Sequence, residues 1–156
     1  MNEYRESDLS IIEAFRKKGY RATPQRIAIC RLALHTRQHP SAQTIYQEVK
    51  TLFPTVSLAT VYKTLQTLSE LGLIQELDFP QSRARFDSYM KPHINLVCTQ
   101  CGSIKDLEDG TARELVDKVT SAAKFTTTGQ RLDIYGICDS CRKKGRSIPV
   151  ATALGE

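Results

Sequence analysis

The chain has no apolar run approaching the roughly 20 residues that cross a bilayer. Its opening, Met1-Asn2-Glu3-Tyr4-Arg5, lacks the basic-then-apolar layout of a secretory signal. Together these predict a cytoplasmic protein with no membrane partner, in which thiols stay reduced. Histidine is scarce, with three in all, and no nucleophile–base–acid set is apparent, which argues against an enzyme. Repeats are missing too, apart from one Cys-x-x-Cys pair that occurs twice. Acid is nearly absent from one stretch: between Arg16 and Lys63, Glu48 is the sole carboxylate among nine Lys/Arg.

What is present is an ordinary globular composition, 40% hydrophobic and 25% charged over 156 residues. The net charge of +5 is unevenly spread: Arg16–Lys63 carries +8 and the rest of the chain −3. A positive segment joined to a mildly negative remainder suits a nucleic-acid-binding module followed by a different domain. A solvated helical surface would look similar on charge alone.

Residues 9 to about 72 read as four helices by apolar spacing of three and four. The first runs from Leu9 to Lys18. Thr23-Pro24 opens the second, a hydroxyl cap followed by proline at the first helical position. Ile27, Ile29, Leu32 and Leu34 supply much of its apolar surface, and Cys30 reads as a small core residue. Ser41 caps the third, with Ile45, Val49 and Leu52 inward, and Pro54 stops it. Ser57 caps the fourth, which carries Leu58, Val61, Leu65, Leu68 and Leu71 to Gly72. The short connection before it suits a helix-turn-helix. Two short strands, 73–77 and 84–87, follow around a turn at Phe79-Pro80-Gln81-Ser82, which completes the layout of a winged helix. In the second half, 94–97, 103–107, 125–128 and 132–135 are strand-like and 110–124 helical. The fold class is therefore α+β: residues 1–87 a winged helix, 88–92 a linker, 93–145 a small α/β metal-binding domain, and 146–156 a flexible tail.

Cys98, Cys101, Cys138 and Cys141 can enclose one Zn²⁺, because a two-residue gap lets both sulfurs of a pair turn onto one ion. The 36 residues between the pairs exceed the usual ribbon gap, so such an ion would join the domain's two ends. A redox dithiol or a chance spacing is the alternative. The fourth helix is the candidate reading element, with Thr60, Lys63, Gln66 and Thr67 away from its apolar stripe and Tyr62 at its edge. Lys63 can donate to guanine, Gln66 can pair with adenine, and Thr60 and Tyr62 can reach bases or phosphates. Arg21, Gln25 and Arg26 begin the second helix, where phosphates would be met, and Arg83 and Arg85 could reach a flanking groove. A plain helical bundle with a polar face is the alternative here. His39, Asp87, His93 and Asp106 have the chemistry for Fe²⁺, Mn²⁺ or Zn²⁺, but spacing does not bring them together.

Six ordered motifs carry a resemblance over nearly the whole chain: Arg21-Ala22-Thr23-Pro24-Gln25-Arg26, His39-Pro40-Ser41-Ala42, Ser57 to Leu65, Arg85-Phe86-Asp87, Cys98-x-x-Cys101-Gly102, and Ile134 to Cys141. With them the chain resembles the ferric uptake regulator (Fur) superfamily. The resemblance implies a homodimeric, metal-dependent repressor with a winged helix and a C-terminal dimerisation domain. It implies structural zinc on the four cysteines and a regulatory ion on His39, Asp87, His93 and Asp106. It also implies a pseudo-palindromic DNA operator, read by two recognition helices whose relative angle the regulatory ion fixes.

Asn95 stands where the family has the second histidine of a His-x-His pair, which leaves three options. The site is four-coordinate, uses the amide oxygen, or prefers a different ion. Ile94 and Gln130 likewise replace ligands of a third site seen in some members. Aspartate at both acidic positions is closer to the peroxide-sensing, PerR-like branch. The two positions at which that branch undergoes iron-driven oxidation correspond to His39 and His93. A regulator of iron, manganese or zinc uptake without peroxide sensing is the alternative, and a zinc-stabilised interaction module a more remote one.

Overall fold

The computed structural model describes residues 7–79 and 83–145, in two compact units divided between Met90 and Lys91.

The first unit holds four helices: α1 (Asp8–Lys17), α2 (Pro24–Leu34), α3 (Ala42–Leu52) and α4 (Leu58–Glu70). Each opens on a hydroxyl. Ser7, Thr23, Ser41 and Ser57 accept from the backbone N–H three residues on, satisfying a donor the helix cannot, each worth about 1 kcal/mol. Ile11 and Phe15 of α1, Ile29, Cys30 and Ala33 of α2, Ile45 and Val49 of α3, and Val61, Leu65 and Leu68 of α4 meet in one core. Burial pushes the Cys30 thiol up to about 12, as suits an inert core residue. Leu52, expected inside, is exposed at the last residue of α3. Thr67, expected on the polar side of α4, is buried and donates to Lys63 O at 2.9 Å.

Gly72, at φ +69°, reverses the chain after α4, and Leu73 N–H then bonds Leu68 O at 3.0 Å. Leu73 is thereby spent on the helix end, so the strand β1 is Gln75–Leu77, shorter than the 73–77 expected. It pairs antiparallel with β2 (Arg85–Asp87), Glu76 opposite Phe86. The turn expected at 79–82 lies mostly outside the described residues, as does the tail from residue 146.

The second unit is a three-stranded sheet in the order β4-β3-β5, with β3 Ile94–Cys98, β4 Ile104–Leu107 and β5 Asp133–Gly136. The central strand β3 pairs antiparallel with β4 and parallel with β5. A parallel neighbour needs a crossover, and α5 (Thr111–Ala123) supplies it. Phe125–Thr128, expected as a strand on composition, is not one. Its β-branched residues favour extended chain, but a strand also needs a ladder partner, and Phe125 N–H is used to close α5 through Thr120 O at 2.9 Å. A short helix, α6 (Asp139–Lys143), starts directly after Cys138; at five residues it is too short to show apolar periodicity in sequence.

Candidate metal centres and nucleic-acid interface

The second unit brings the four cysteines together. Cys98 ends β3, Cys101 follows it on a tight turn through Gly102 (φ +68°), Cys138 caps α6 and Cys141 lies within it. The parallel pairing of β3 with β5, with Cys98 opposite Gly136, sets the two knuckles side by side. All four sulfurs lie within 4.8 Å of one another, and Cys101 Sγ and Cys138 Sγ are 3.8 Å apart. Sulfurs about 2.3 Å from a tetrahedral Zn²⁺ would stand about 3.8 Å apart, so the set fits the ion. The unliganded thiols divide their protons unequally. Burial raises Cys98, but N–H groups of Cys138, Cys101 and Gln100 outweigh it and bring the thiol down to about 6. The Ser103 hydroxyl and N–H lower Cys101. Cys141 is pushed up to about 12, first by its hydrogen bond with Cys138, then by burial. With all four positions filled by sulfur, a metal here is closed to substrate.

His39 and Asp87 belong to the first unit, and there they meet. Phe86 N–H bonds Pro40 O at 3.0 Å, Ser41 bridges Arg85, and Arg85 Nη1 donates to His39 O at 3.2 Å. These contacts hold His39 on a left-handed backbone (φ 47°) beside the end of β2. Its Nε2 stands 3.8 Å from Asp87 Oδ1, both side chains almost wholly buried. That separation is too long for a hydrogen bond and suits two ligands of one ion. Asp87 Oδ1 also accepts from Tyr89 N–H at 2.7 Å. Arg85, offered by sequence to a DNA groove, also braces His39 through its bond to His39 O.

His93 and Asp106 belong to the second unit. His93 directly precedes β3 and is buried; Asp106 lies on β4, opposite Asn95. His93 Nδ1 is 2.8 Å from Lys91 O, and Nε2 is 3.2 Å from Asn95 Oδ1. Sequence reasoning missed Asp133, whose Oδ1 accepts from Asn95 Nδ2 at 3.0 Å. The available signal was an acid between Leu132 and Ile134 in a strand-like run.

The exposed face of α4 consists of Ala59, Tyr62, Lys63, Gln66 and Glu70, with Thr60 half-buried at its start. Thr60 Oγ1 lies 2.9 Å from the cap hydroxyl of Ser57. Tyr62 OH accepts from Gln43 Nε2 at 3.2 Å, so α3 steadies it, a contact that sequence did not reveal. Gln66 Nε2 donates to Glu70 Oε1 at 3.1 Å. Arg21 lies outside α2, exposed two residues before its cap; Arg26 Nη1 donates back to Arg21 O at 2.9 Å, and Gln25 reaches Thr55 Oγ1 at 3.4 Å. Cationic and amide groups on and beside one exposed helix suit the major groove.

The ferric uptake regulator family matches residues 17–135. The chain belongs to this family. It is also 36% identical, over 134 residues, to the peroxide-responsive repressor PerR of Staphylococcus epidermidis, covering 86% of this chain and 89% of that one. Among solved structures, the Campylobacter jejuni peroxide stress regulator superposes with a TM-score of 0.70 at 33% identity, over 85% of this chain and 98% of that one. The Helicobacter pylori ferric uptake regulator Fur superposes at 0.76 over 90% and 97%, with 20% identity, a likeness of fold. Ferric uptake regulator family proteins are transcription regulators that bind DNA as dimers, and this member is a metal-dependent regulator.

Proposed function

We propose that this chain is a cytoplasmic repressor, a homodimer that holds Zn²⁺ on Cys98, Cys101, Cys138 and Cys141. It binds a pseudo-palindromic operator when Fe²⁺ or Mn²⁺ is held by His39, Asp87, His93 and Asp106, and it responds to peroxide. The observation that carries this reading is the buried His39–Asp87 pair, an imidazole and a carboxylate 3.8 Å apart, a spacing that suits two ligands of one ion. Two of the four ligands come from each unit, so an ion held by all four ties the winged helix of residues 1–87 to the dimerisation domain of residues 93–145, across the 88–92 linker. That tie selects the arrangement in which two α4 helices enter successive grooves, with Thr60, Tyr62, Lys63 and Gln66 at the bases and Arg21, Gln25 and Arg26 at phosphates. A switch of this kind needs a coupling energy of about 1–3 kcal/mol between ion and DNA.

The second copy is supported by the large apolar residues left exposed on the dimerisation domain. Leu115 and Val119 lie one turn apart on α5, and with Phe125, Ile134 and Tyr135 they stand substantially exposed. An isologous interface would cover them twice over. Fe²⁺ supplies the peroxide chemistry when bound; the chain supplies two imidazoles, His39 and His93, whose oxidation removes a ligand. Peptide mass spectrometry after peroxide treatment tests this. The expected result is a gain of one oxygen on His39 or His93 with Fe²⁺ and not with Mn²⁺. Unmodified histidines alongside full metal-dependent DNA binding would leave a metal-availability sensor instead.

A further inference from the structure

Asn95 sits inside β3, 2% exposed, paired with Asp106 of β4 on one side and Asp133 of β5 on the other. A buried amide is retained at little cost only when its polar atoms are used. Nδ2 donates to Asp133 Oδ1 at 3.0 Å. A carboxylate accepts and does not donate, so this bond decides which end of the amide is which. Asp133 is itself braced: its Oδ2 accepts from Arg131 Nε at 2.8 Å, from Arg131 Nη2 at 2.7 Å and from Tyr135 OH at 3.3 Å. The amide oxygen therefore faces the other way, towards His93 Nε2 at 3.2 Å. The second ring nitrogen of His93 faces a backbone carbonyl, that of Lys91, at 2.8 Å. In the neutral ring the proton sits there, on Nδ1, which leaves a lone pair on Nε2. Two lone pairs, one on nitrogen and one on oxygen, thus converge. Perpendicular ligands about 2.1 Å from an octahedral ion stand about 3.0 Å apart, close to what the pair shows.

We propose that Asn95 Oδ1 is a ligand of the regulatory ion, and that Asp133 is a positioning residue that turns the amide so that its oxygen, not its NH₂, meets the metal. This rests on the regulatory-site reading above. A neutral, hard oxygen in place of an imidazole shifts the site away from Zn²⁺ and towards Mn²⁺. The choice of ion is thus set by a residue on β3 and held by one on β5.

The test is titration of Mn²⁺ and Zn²⁺ into the full-length, structurally zinc-loaded protein, with free Mn²⁺ read by electron paramagnetic resonance and Zn²⁺ by a competing chelator. Asn95→Ala and Asp133→Asn each weaken Mn²⁺ binding about ten-fold or more, as loss of a ligand or of its orienting partner does. The double variant binds no more weakly than Asn95→Ala, because Asp133 acts through Asn95. Asn95→His keeps a donor in place and tightens Zn²⁺ more than Mn²⁺, so it carries the test even where Asn95→Ala fails to fold. Unchanged Mn²⁺ affinity in folded Asn95→Ala, or an unchanged Mn²⁺/Zn²⁺ ratio in Asn95→His, overturns the ligand role. Equal losses from Asp133→Asn with and without Asn95 overturn the positioning role. His93→Ala separates the two readings: if it abolishes Mn²⁺ binding while Asn95→Ala does not, only the present inference falls. If His93→Ala binds normally, the regulatory site itself falls.

Discussion

In the first unit Phe15, Ile29, Val49, Val61, Leu65 and Leu68 are each fully removed from water. Among the described residues of the second, the most buried apolar side chains are Ala112, Cys98, Cys141, Ile94 and Val97, and none is completely covered, while Leu115, Val119, Phe125, Ile134 and Tyr135 are about half exposed or more. The first unit closes on itself through four capped helices. The second is a three-stranded sheet with an amphipathic helix of which only Ala112 is buried. A domain this small buries too little apolar surface to be stable on it alone, and metals and oligomerisation are the usual supplements. The comparison teaches that the Cys₄ cluster and the apolar α5 face are two halves of one solution. Under the proposed function, zinc fixes the inside of the unit and a second copy covers the outside.

Removing zinc is the strongest way to break that comparison. Structural zinc sites contribute about 10–16 kcal/mol in small domains, so a chelator strong enough to strip it should unfold the second unit and leave the first. Amide exchange checks this: protection of β3 and β5 is lost while that of α2 and α4 persists. Phe15→Ala is the converse. It deletes a fully buried ring and should cost the first unit about 3–5 kcal/mol, read as a lowered unfolding midpoint with zinc content unchanged. Charges at the exposed apolar residues come next. Val119→Glu with Ile134→Lys places both changes twice in a symmetric interface and should weaken the dimer by about 100-fold or more, roughly 2.7 kcal/mol, seen by sedimentation at micromolar concentration. A dimer unaffected by that pair would place the interface elsewhere.

The smallest effect concerns protons. With Cys98 near 6 and Cys141 near 12, at pH 7 the former is already a thiolate and the latter still a thiol. Zinc loading at that pH should therefore release at least one proton and fewer than four, counted by calorimetry in buffers of different ionisation enthalpy. The signs of the two shifts are opposite. The contribution of the lowered Cys98 to zinc-free stability is present above its ordinary value near 9 and is lost as pH falls through about 6. That of the raised Cys141 is present below 9 and is lost as pH rises through about 12. Release of all four protons would contradict the division.

Much of the first unit was legible because its signals are local. A hydroxyl cap, Pro24 after Thr23 and apolar spacing each act within a turn or two of helix, and Gly72 marks its own reversal. Where the reading failed, a non-local partner decided the outcome. Phe125–Thr128 has strand composition and no ladder, and Leu73 is consumed by the end of α4. The cysteines could be paired from spacing because a Cys-x-x-Cys knuckle carries its own geometry. Asp133 could not be found that way, since its role depends on the parallel register that sets it opposite Asn95, 38 residues away.

The central claim, that a second ion held by nitrogen and oxygen ligands governs DNA binding while the sulfur site only builds the fold, has one direct test. The zinc-loaded protein is used to select preferred duplexes from a random pool with Mn²⁺ present, and its affinity for them is then measured with Mn²⁺ and after a weak chelator that leaves zinc in place. The account predicts a loss of at least about ten-fold in affinity with zinc content and dimer mass unchanged. Equal affinity in both conditions would contradict it.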